Sequence, residues 1–478
     1  MNNLSRRSND IALLLCVALL FAMVSPGGMF IVAIVGLSFA RLLHARSSDT
    51  IFLRNLFLAS FTIRAVLLVL ISVVLIIAGR ILTYPDYPGW APNLIGDASY
   101  YTLRAYWMSL DWRGFDLSDK VLLSTYNPIY GWNGYTFMIA FFHYIFGFSP
   151  VMSVMFNCLL GSCNGILIFF IAREYLSGGV AKIAAVLVSF LPSLVLWSIT
   201  NLKDTVLITV TLFIVLVFIR LQRSAMGHRF VLILLLIAAL VLQSAVRKYS
   251  GLLTGSALLL SLMFLVRTRR ARLVLIFVLL IVGITVTVTP GLANKINERV
   301  HMSVYRLLSI HQATVPMPGS SYKILDDKYY KHNPEFKVDY TPDVYYYQYP
   351  TWQLSYLDYA GIYCRAMVHF LFEPFPWAAN SSLKLLSLIQ MGLWYCILAC
   401  AAFGAVVLSR HAFREYACLY VFFLIMSFFI AMTQGNVGTL FRVRDIVTPI
   451  ILLWASVGIA GILKIDIIKK DRTYAPSR

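Results

Sequence analysis

Charge is scarce in this sequence. Asp, Glu, Lys and Arg supply 13% of the 478 residues, while hydrophobic types supply 60%. With a mean hydropathy of +0.78, the chain lacks the polar surface that a soluble protein of this size needs to cover its core. A string of soluble domains is thereby excluded, and a membrane protein is expected. Acidic residues are the rarer sign, 21 against 40 Lys and Arg, which leaves a net charge of +19. In a membrane protein such an excess collects in cytoplasmic loops and sets orientation, so no nucleic-acid partner is expected. Cysteine is sparse too. Of Cys16, Cys158, Cys163, Cys364, Cys396, Cys400 and Cys418, only Cys364 lies near a probable outer loop, which excludes a disulfide framework. A phosphate-cradling glycine loop is missing, which disfavours an ATP-driven pump. No small-residue cleavage site follows the opening MNNLSRRSND and its apolar run, so that run reads as a retained helix rather than a signal peptide.

Long hydrophobic runs are plentiful, and about 20 apolar residues cross a bilayer. Runs 11–24 and 29–43, joined by Ser25-Pro26-Gly27-Gly28, read as a hairpin with basic flanks at Arg6, Arg7, Arg41, Arg46 and Arg54. Further spans are expected near 61–82, 151–172, 181–200, 205–219, 230–246, 250–266, 273–289, 383–408, 416–433 and 446–463. Arg64 and Arg80 are expected to snorkel toward opposite faces. Residues 132–146 are also apolar, but counting them as a span would put every later basic loop outside. An interfacial or re-entrant helix fits the charge pattern better. The expected fold is an all-α polytopic membrane protein of about twelve transmembrane helices with both termini cytoplasmic. Its parts are a hairpin (1–54), a membrane core (55–290) with a first outer loop at 84–132, and a large outer loop (291–382). C-terminal helices (383–463) and a basic tail (464–478) complete it.

Loops longer than about 15 residues tend to carry function. The first outer loop holds Gly96-Asp97-Ala98-Ser99-Tyr100-Tyr101 and then Arg104. Asp97 either caps a helix starting at Ala98 or serves chemistry at the membrane surface. Asp204, after Asn201-Leu202-Lys203, poses the same choice for a span starting at Thr205. Lys203, Arg247, Lys248, Arg442 and Arg444 lie on the outer side, against the orientation bias. They either pair with Asp97, Asp204 or Asp445, or hold a phosphate, with Arg442 and Arg444 gripping one group from both sides. His369 and Glu373 share a helix face, but without a third ligand they make no metal site. Tyr340, Tyr345, Tyr346, Tyr347 and Tyr349 suit either sugar stacking or interfacial anchoring.

Several of these stretches, taken in order, resemble the GT-C superfamily of membrane glycosyltransferases. They are Gly96-Asp97-Ala98 beyond a long span, then Gly147-Phe148-Ser149 and Asn157. Ala172-Arg173-Glu174 with Gly178 and Ala181 follows, and then Phe190-Leu191-Pro192 ahead of Asn201-Leu202-Lys203-Asp204. Residues 372–377 (FEPFPW) and 435–444 (GNVGTLFRVR) resemble stretches of glycosyltransferase-like proteins of bacterial polysaccharide clusters. The likeness covers roughly residues 60–450 and leaves out the hairpin. It implies a polyprenyl-phosphate-linked sugar as donor, a glycan or lipid acceptor, and a site on the outer face of a bacterial inner membrane. Asp97 would be the general base and Asp204 a second catalytic carboxylate. Arg104, Lys203, Arg247, Lys248, Tyr249, His369, Arg442 and Arg444 would bind substrate. Many members carry an Asp-Glu pair where this chain has Gly96-Asp97-Ala98, so no cofactor is expected, a divalent cation remaining open. An O-antigen-type polymerase of lipid-linked oligosaccharides is the nearest alternative. A non-enzymatic flippase fits less well, because no internal repeat is visible and polar groups gather at outer span ends.

Overall fold

The computed structural model describes residues 34–35, 38, 47–77, 81–82, 91–92, 96–126, 133–148, 150–224, 226–265, 290–315, 321–325, 354–378 and 382–468. The expected spans 11–24, 29–43 and 273–289 lie outside these residues, apart from 34–35 and 38, as do Arg80 and the tyrosines of 340–349. The described residues are almost wholly helical. In order they form α1 (Ser48–Ile77), α2 (Gly96–Trp112), α3 (Asp119–Thr125), α4 (Gly134–Phe146), α5 (Pro150–Arg173), α6 (Gly178–Phe190) and α7 (Pro192–Ser198). Then come α8 (Asp204–Leu221), α9 (Met226–Val246), α10 (Ser250–Leu265), α11 (Pro290–Thr314), α12 (Tyr356–Phe372), α13 (Ser382–Thr433), α14 (Val437–Arg444) and α15 (Thr448–Ile462). Two two-residue strands, Ile81–Leu82 and Ala91–Pro92, pair antiparallel.

The protein is a multi-pass membrane protein. Among the described residues five helices are long and apolar enough to cross a bilayer, and two bent pairs, α6 with α7 and α14 with α15, bring the number to seven. The 52-residue α13 carries a non-helical Ala412, which divides it where spans 383–408 and 416–433 were expected to part. At 13 residues α4 is too short to cross, in keeping with the re-entrant reading of 132–146.

Two compact units are distinguished and described separately: Met1–Leu252 with Cys400–His411 and Ile451–Arg478, and Leu253–Ala399 with Ala412–Ile450. The first unit is built around α5. Small residues on α5 let its neighbours approach closely: a Cβ on Gly161 would lie 2.7 Å from Ser198 Cβ, and one on Gly165 would lie 2.0 Å from Ser189 Oγ. Against this face Phe57, Phe61 and Leu68 of α1 pack on Met152, Met155 and Cys158.

Arg64 corrects the expectation of snorkelling. It is fully buried, and its guanidinium donates to Ser198 Oγ (2.8 Å), Ser60 O (3.1 Å), Ser189 O (2.9 Å) and the Ser60 hydroxyl. The reason lies in the helix it faces. Pro192 lacks an N–H and ends α6, so the span bends by 53° and carbonyls near the break need another donor.

At the other end of these helices the charges pair. Asp49 lies 3.4 Å from Arg173 and 3.2 Å from Lys182, and Glu174 lies 3.1 Å from Arg220 and 3.3 Å from Arg223. Beside them the segment after α15 folds back over the α5–α6 turn. Ser177 N–H donates to Ile467 O at 2.9 Å, and Leu176 bridges to Ile468.

In the second unit, residues 321–325 lie along the α13–α14 turn. Tyr322 N–H donates to Gly435 O at 2.9 Å, and Ser321 bridges to Asn436. A capping box, Ser355 with Asp358, starts α12.

Candidate functional site

In the first unit four chain segments meet: the start of α2, the start of α4, residues 199–204 and the end of α9. Both acidic residues begin helices. Asp97 is the second residue of α2, and Asp204 is the first of α8, with Lys203 at the N-cap and no side-chain cap bond. Both carboxylates therefore sit in a first helical turn, where unpaired N–H groups and the helix dipole favour negative charge. Their surroundings differ. Asp97 is exposed, whereas Asp204 is 2% exposed and lies 3.8 Å from Arg247.

Cations and aromatic rings surround these turns. Lys203 Nζ stands 5.6 Å from the centre of the Tyr101 ring, one helical turn beyond Asp97, and Arg104 lies over Tyr100 at 5.5 Å. Tyr101 also meets Tyr135 edge to face at 5.6 Å. Arg247, Lys248 and Tyr249 form the turn between α9 and α10. Ser250 closes it by donating to Gln243 O and Arg247 O. Tyr249 is 66% exposed and holds φ +66°, a left-handed conformation that costs a non-glycine residue about 1 kcal/mol or more. A β-carbon on Gly134 would sit 3.1 Å from Ala245 Cβ, so the start of α4 lies close against the end of α9.

A buried polar cluster lies beneath this surface. Tyr135, Asn157, Asn201 and Thr102 are 5% exposed or less and are hydrogen-bonded to one another. Asn157 and Asn201 belong to the recognised motifs, but nothing in the sequence joins them to Tyr135 or Thr102. A visible signal was the presence of Asn and Tyr within otherwise apolar stretches, where each must find a partner.

In the second unit, His369 Nδ1 lies 3.0 Å from Glu373 Oε1, and its ring stacks on Tyr322 at 4.4 Å. Glu373 Oε2 accepts from Phe375 N–H at 3.0 Å, so the His-Glu pair braces the turn ending α12. Arg442 and Arg444 do not form the expected two-sided grip. They lie on helix α14, where residues two apart point about 200° apart around the axis. Arg444 is 1% exposed and turns inward. Its Nη1 donates to Phe370 O (3.2 Å), Leu371 O (3.1 Å) and Glu373 O (2.8 Å), closing the C-terminus of α12. Trp394 and Phe441 flank its guanidinium at 4.6 and 5.1 Å. Arg442 stays half-buried. Among the described residues no three His, Cys, Asp or Glu side chains gather to hold a metal ion.

Residues 134–292 match the family model described as dolichyl-phosphate-mannose-protein mannosyltransferase. This segment runs from the start of α4 through the 199–204 turn and the α9–α10 turn. No curated protein matches the sequence. Among solved structures, the chain is similar to the archaeal oligosaccharyltransferase AglB of Archaeoglobus fulgidus in complex with an inhibitory peptide and a dolichol-phosphate, at 14% identity and a TM-score of 0.43. The apo form of the Archaeoglobus fulgidus oligosaccharyltransferase gives 14% and 0.42. The match covers 85% of this chain and 50% of each archaeal chain, so this chain spans about half their length. A likeness that distant carries no residue roles across.

Proposed function

We propose that this chain, whose residues 134–292 carry the pattern of a GT-C membrane glycosyltransferase, moves a sugar from a polyprenyl-phosphate carrier to a hydroxyl of a glycan or lipid at the membrane surface. One observation carries the reading. The start of α2, which carries Asp97, meets the Lys203–Asp204 turn through Tyr101 and Thr102, and Arg247 lies beside Asp204, at one end of a membrane-embedded unit. Anionic and cationic groups side by side suit a reaction that takes up a proton and releases a phosphate.

Asp97, exposed in a first helical turn, is the group able to meet an acceptor. It takes the hydroxyl proton as that oxygen attacks the anomeric carbon. The bond from that carbon to the carrier phosphate oxygen breaks, the polyprenyl phosphate leaves, and the anomeric centre inverts. Asp204 is too buried for this and holds Arg247, so that Arg247 and Lys203 face the departing phosphate as fixed charges. General-base help contributes about 10²–10⁴-fold. Asp97→Asn keeps the shape and removes the proton acceptor. Transfer from a polyprenyl-phosphate sugar is expected to fall at least a hundredfold, on the order of the general-base contribution, with the melting temperature kept. Near-normal product formation by a folded Asp97→Asn protein overturns this assignment.

A further inference from the structure

Four buried side chains join the two acidic turns through a single hydrogen-bonded path, and its direction is fixed by chemistry. Asn157 Nδ2 lies 2.9 Å from Thr200 O and 3.0 Å from Leu202 O. Carbonyls only accept, so Asn157 must present its NH2 group here. The same nitrogen donates to Tyr135 Oη at 2.9 Å, which makes that hydroxyl the acceptor of this bond and turns its proton onward. Tyr135 O–H donates to Asn201 Oδ1 at 2.7 Å. Asn201 Nδ2 therefore faces Thr102 Oγ1, at 2.6 Å, and Thr102 O–H donates to Ala98 O at 2.8 Å. The links diverge from Asn157: two donate back to the 200–202 main chain, and the others run in series through Tyr135, Asn201 and Thr102 to the first turn of α2, in which Asp97 precedes Ala98. Aligned links polarise one another, and none can be reversed alone.

We propose that Asn157, Tyr135, Asn201 and Thr102 are positioning residues that hold the Asp97 turn in register with the Lys203–Asp204 turn. None of them touches substrate. The inference rests on the reading of Asp97 and Asp204 given above and adds how their spacing is set. α4 is the element that makes the path possible: Asn133 caps it by accepting from Thr136 N–H at 2.9 Å, and it brings Tyr135 between α2, α5 and residue 201. Without the path, α2 keeps its helix but has less to fix its rotation against residues 199–204, and the cations beside Asp204 no longer face the base at a set distance.

The test uses the full-length protein in lipid nanodiscs with isosteric variants. Tyr135→Phe removes the middle hydroxyl and Thr102→Val the terminal one, while Thr102→Ser keeps it. We expect kcat to fall about tenfold or more in Tyr135→Phe and Thr102→Val, KM for the lipid-linked donor to stay within about twofold, and Thr102→Ser to recover most of the rate; a misplaced group of this kind costs up to about a hundredfold. Hydrogen exchange gives a reading that needs no activity. Peptides covering 96–104 and 199–204 should exchange faster in Tyr135→Phe, while α5 stays protected. Unchanged exchange at both turns overturns the proposal whatever the activity, as does wild-type kcat in both folded variants. Full activity in Asp97→Asn with faster exchange in Tyr135→Phe would instead leave the register standing and remove only the catalytic reading.

Discussion

Arg442 and Arg444 stand two positions apart, yet the structure gives them different work. Arg444 donates to three main-chain carbonyls at the end of α12 and is buried against Trp394. Removing it leaves those carbonyls without their donor, at about 1–3 kcal/mol for each buried group left unsatisfied. Arg444→Ala is therefore expected to lower the unfolding temperature. Arg442→Ala, at a half-buried side chain, is expected to lower it less. Following the melting of both variants checks this; the reverse pattern rejects the assignment. In the sequence the pair looked equivalent, because a spacing of two means neighbours in an extended loop and opposite faces on a helix. Nothing in GNVGTLFRVR announced the helix except Asn436, whose side chain caps it through Thr439 N–H.

His311 of α11 makes a second prediction at this scale. It is buried with its ring 5.1 Å from that of Tyr322, and burial, aided by the charge of His369, pulls its pKa from 6.5 down to about 4. The folded value lies below the unfolded one, so the unfolded chain binds the extra proton between these limits. The stability is therefore complete above about pH 6.5 and falls as pH drops toward 4, by up to about 1.4 kcal/mol per unit. A His311→Gln protein should show a shallower loss over that window when melting is followed from pH 7 to 4.5. Equal slopes for the two proteins would remove His311 from this role.

At the scale of elements, the membrane helices are held by how closely they approach. On α13 and α15, a Cβ at Gly404 would lie 1.8 Å from Trp454 O, and one at Gly458 would lie 2.1 Å from Cys400 O. Backbones in direct contact are the usual way helices associate where no hydrophobic drive exists between them. Gly458→Ala is expected to lower stability by at least about 1–3 kcal/mol, since the backbone opposite has no rotamer with which to give way. An unfolding midpoint equal to wild type would mean that the two helices part easily. The glycines were visible in the sequence, but their partner was not, because an apolar run says which residues avoid water and is silent on which helix they meet. The same gap hid Arg64. A lone arginine in a span reads as a snorkelling side chain until the break at Pro192 in another helix supplies the Ser189 carbonyl to which it donates. The membrane class and the short α4 were more legible, because both follow from length and hydropathy alone.

For the whole molecule, the orientation carried by Lys and Arg is the property most open to test. In the first unit Arg173, Lys182, Arg220 and Arg223 cluster with Asp49 and Glu174 at one end, and Asp97, Lys203 and Arg247 gather at the other. α8 alone separates the two ends by about 27 Å, at about 1.5 Å for each of its 18 residues, close to the thickness of a bilayer core. Single cysteines at His228 and Lys248, both exposed and at opposite ends of α9, should label from opposite sides of the membrane in a background lacking the exposed Cys364 and Cys396. Labelling of both from one side contradicts the arrangement. Composition foretold the membrane. The approach of the start of α2 to residues 199–204 was not legible, since no pattern along a chain measures the distance between two turns with five helices, α3 to α7, between them.

The fold-back after α15 also has a meaning in time. Ile467 and Ile468 hold Ser177 and Leu176, and a side chain on Gly179 would collide with Ile465, whose Cγ2 would lie 2.8 Å from its Cβ. The two halves of this contact leave the ribosome far apart: 468 − 176 is 292 residues. At about 5–20 residues per second, synthesis separates them by roughly 15 to 60 seconds. During that interval the α5–α6 turn is already threaded into the membrane with the Ser177 amide still waiting for its acceptor. The contact thus separates a chain made only as far as α5 and α6 from one in which residues 465–468 have arrived.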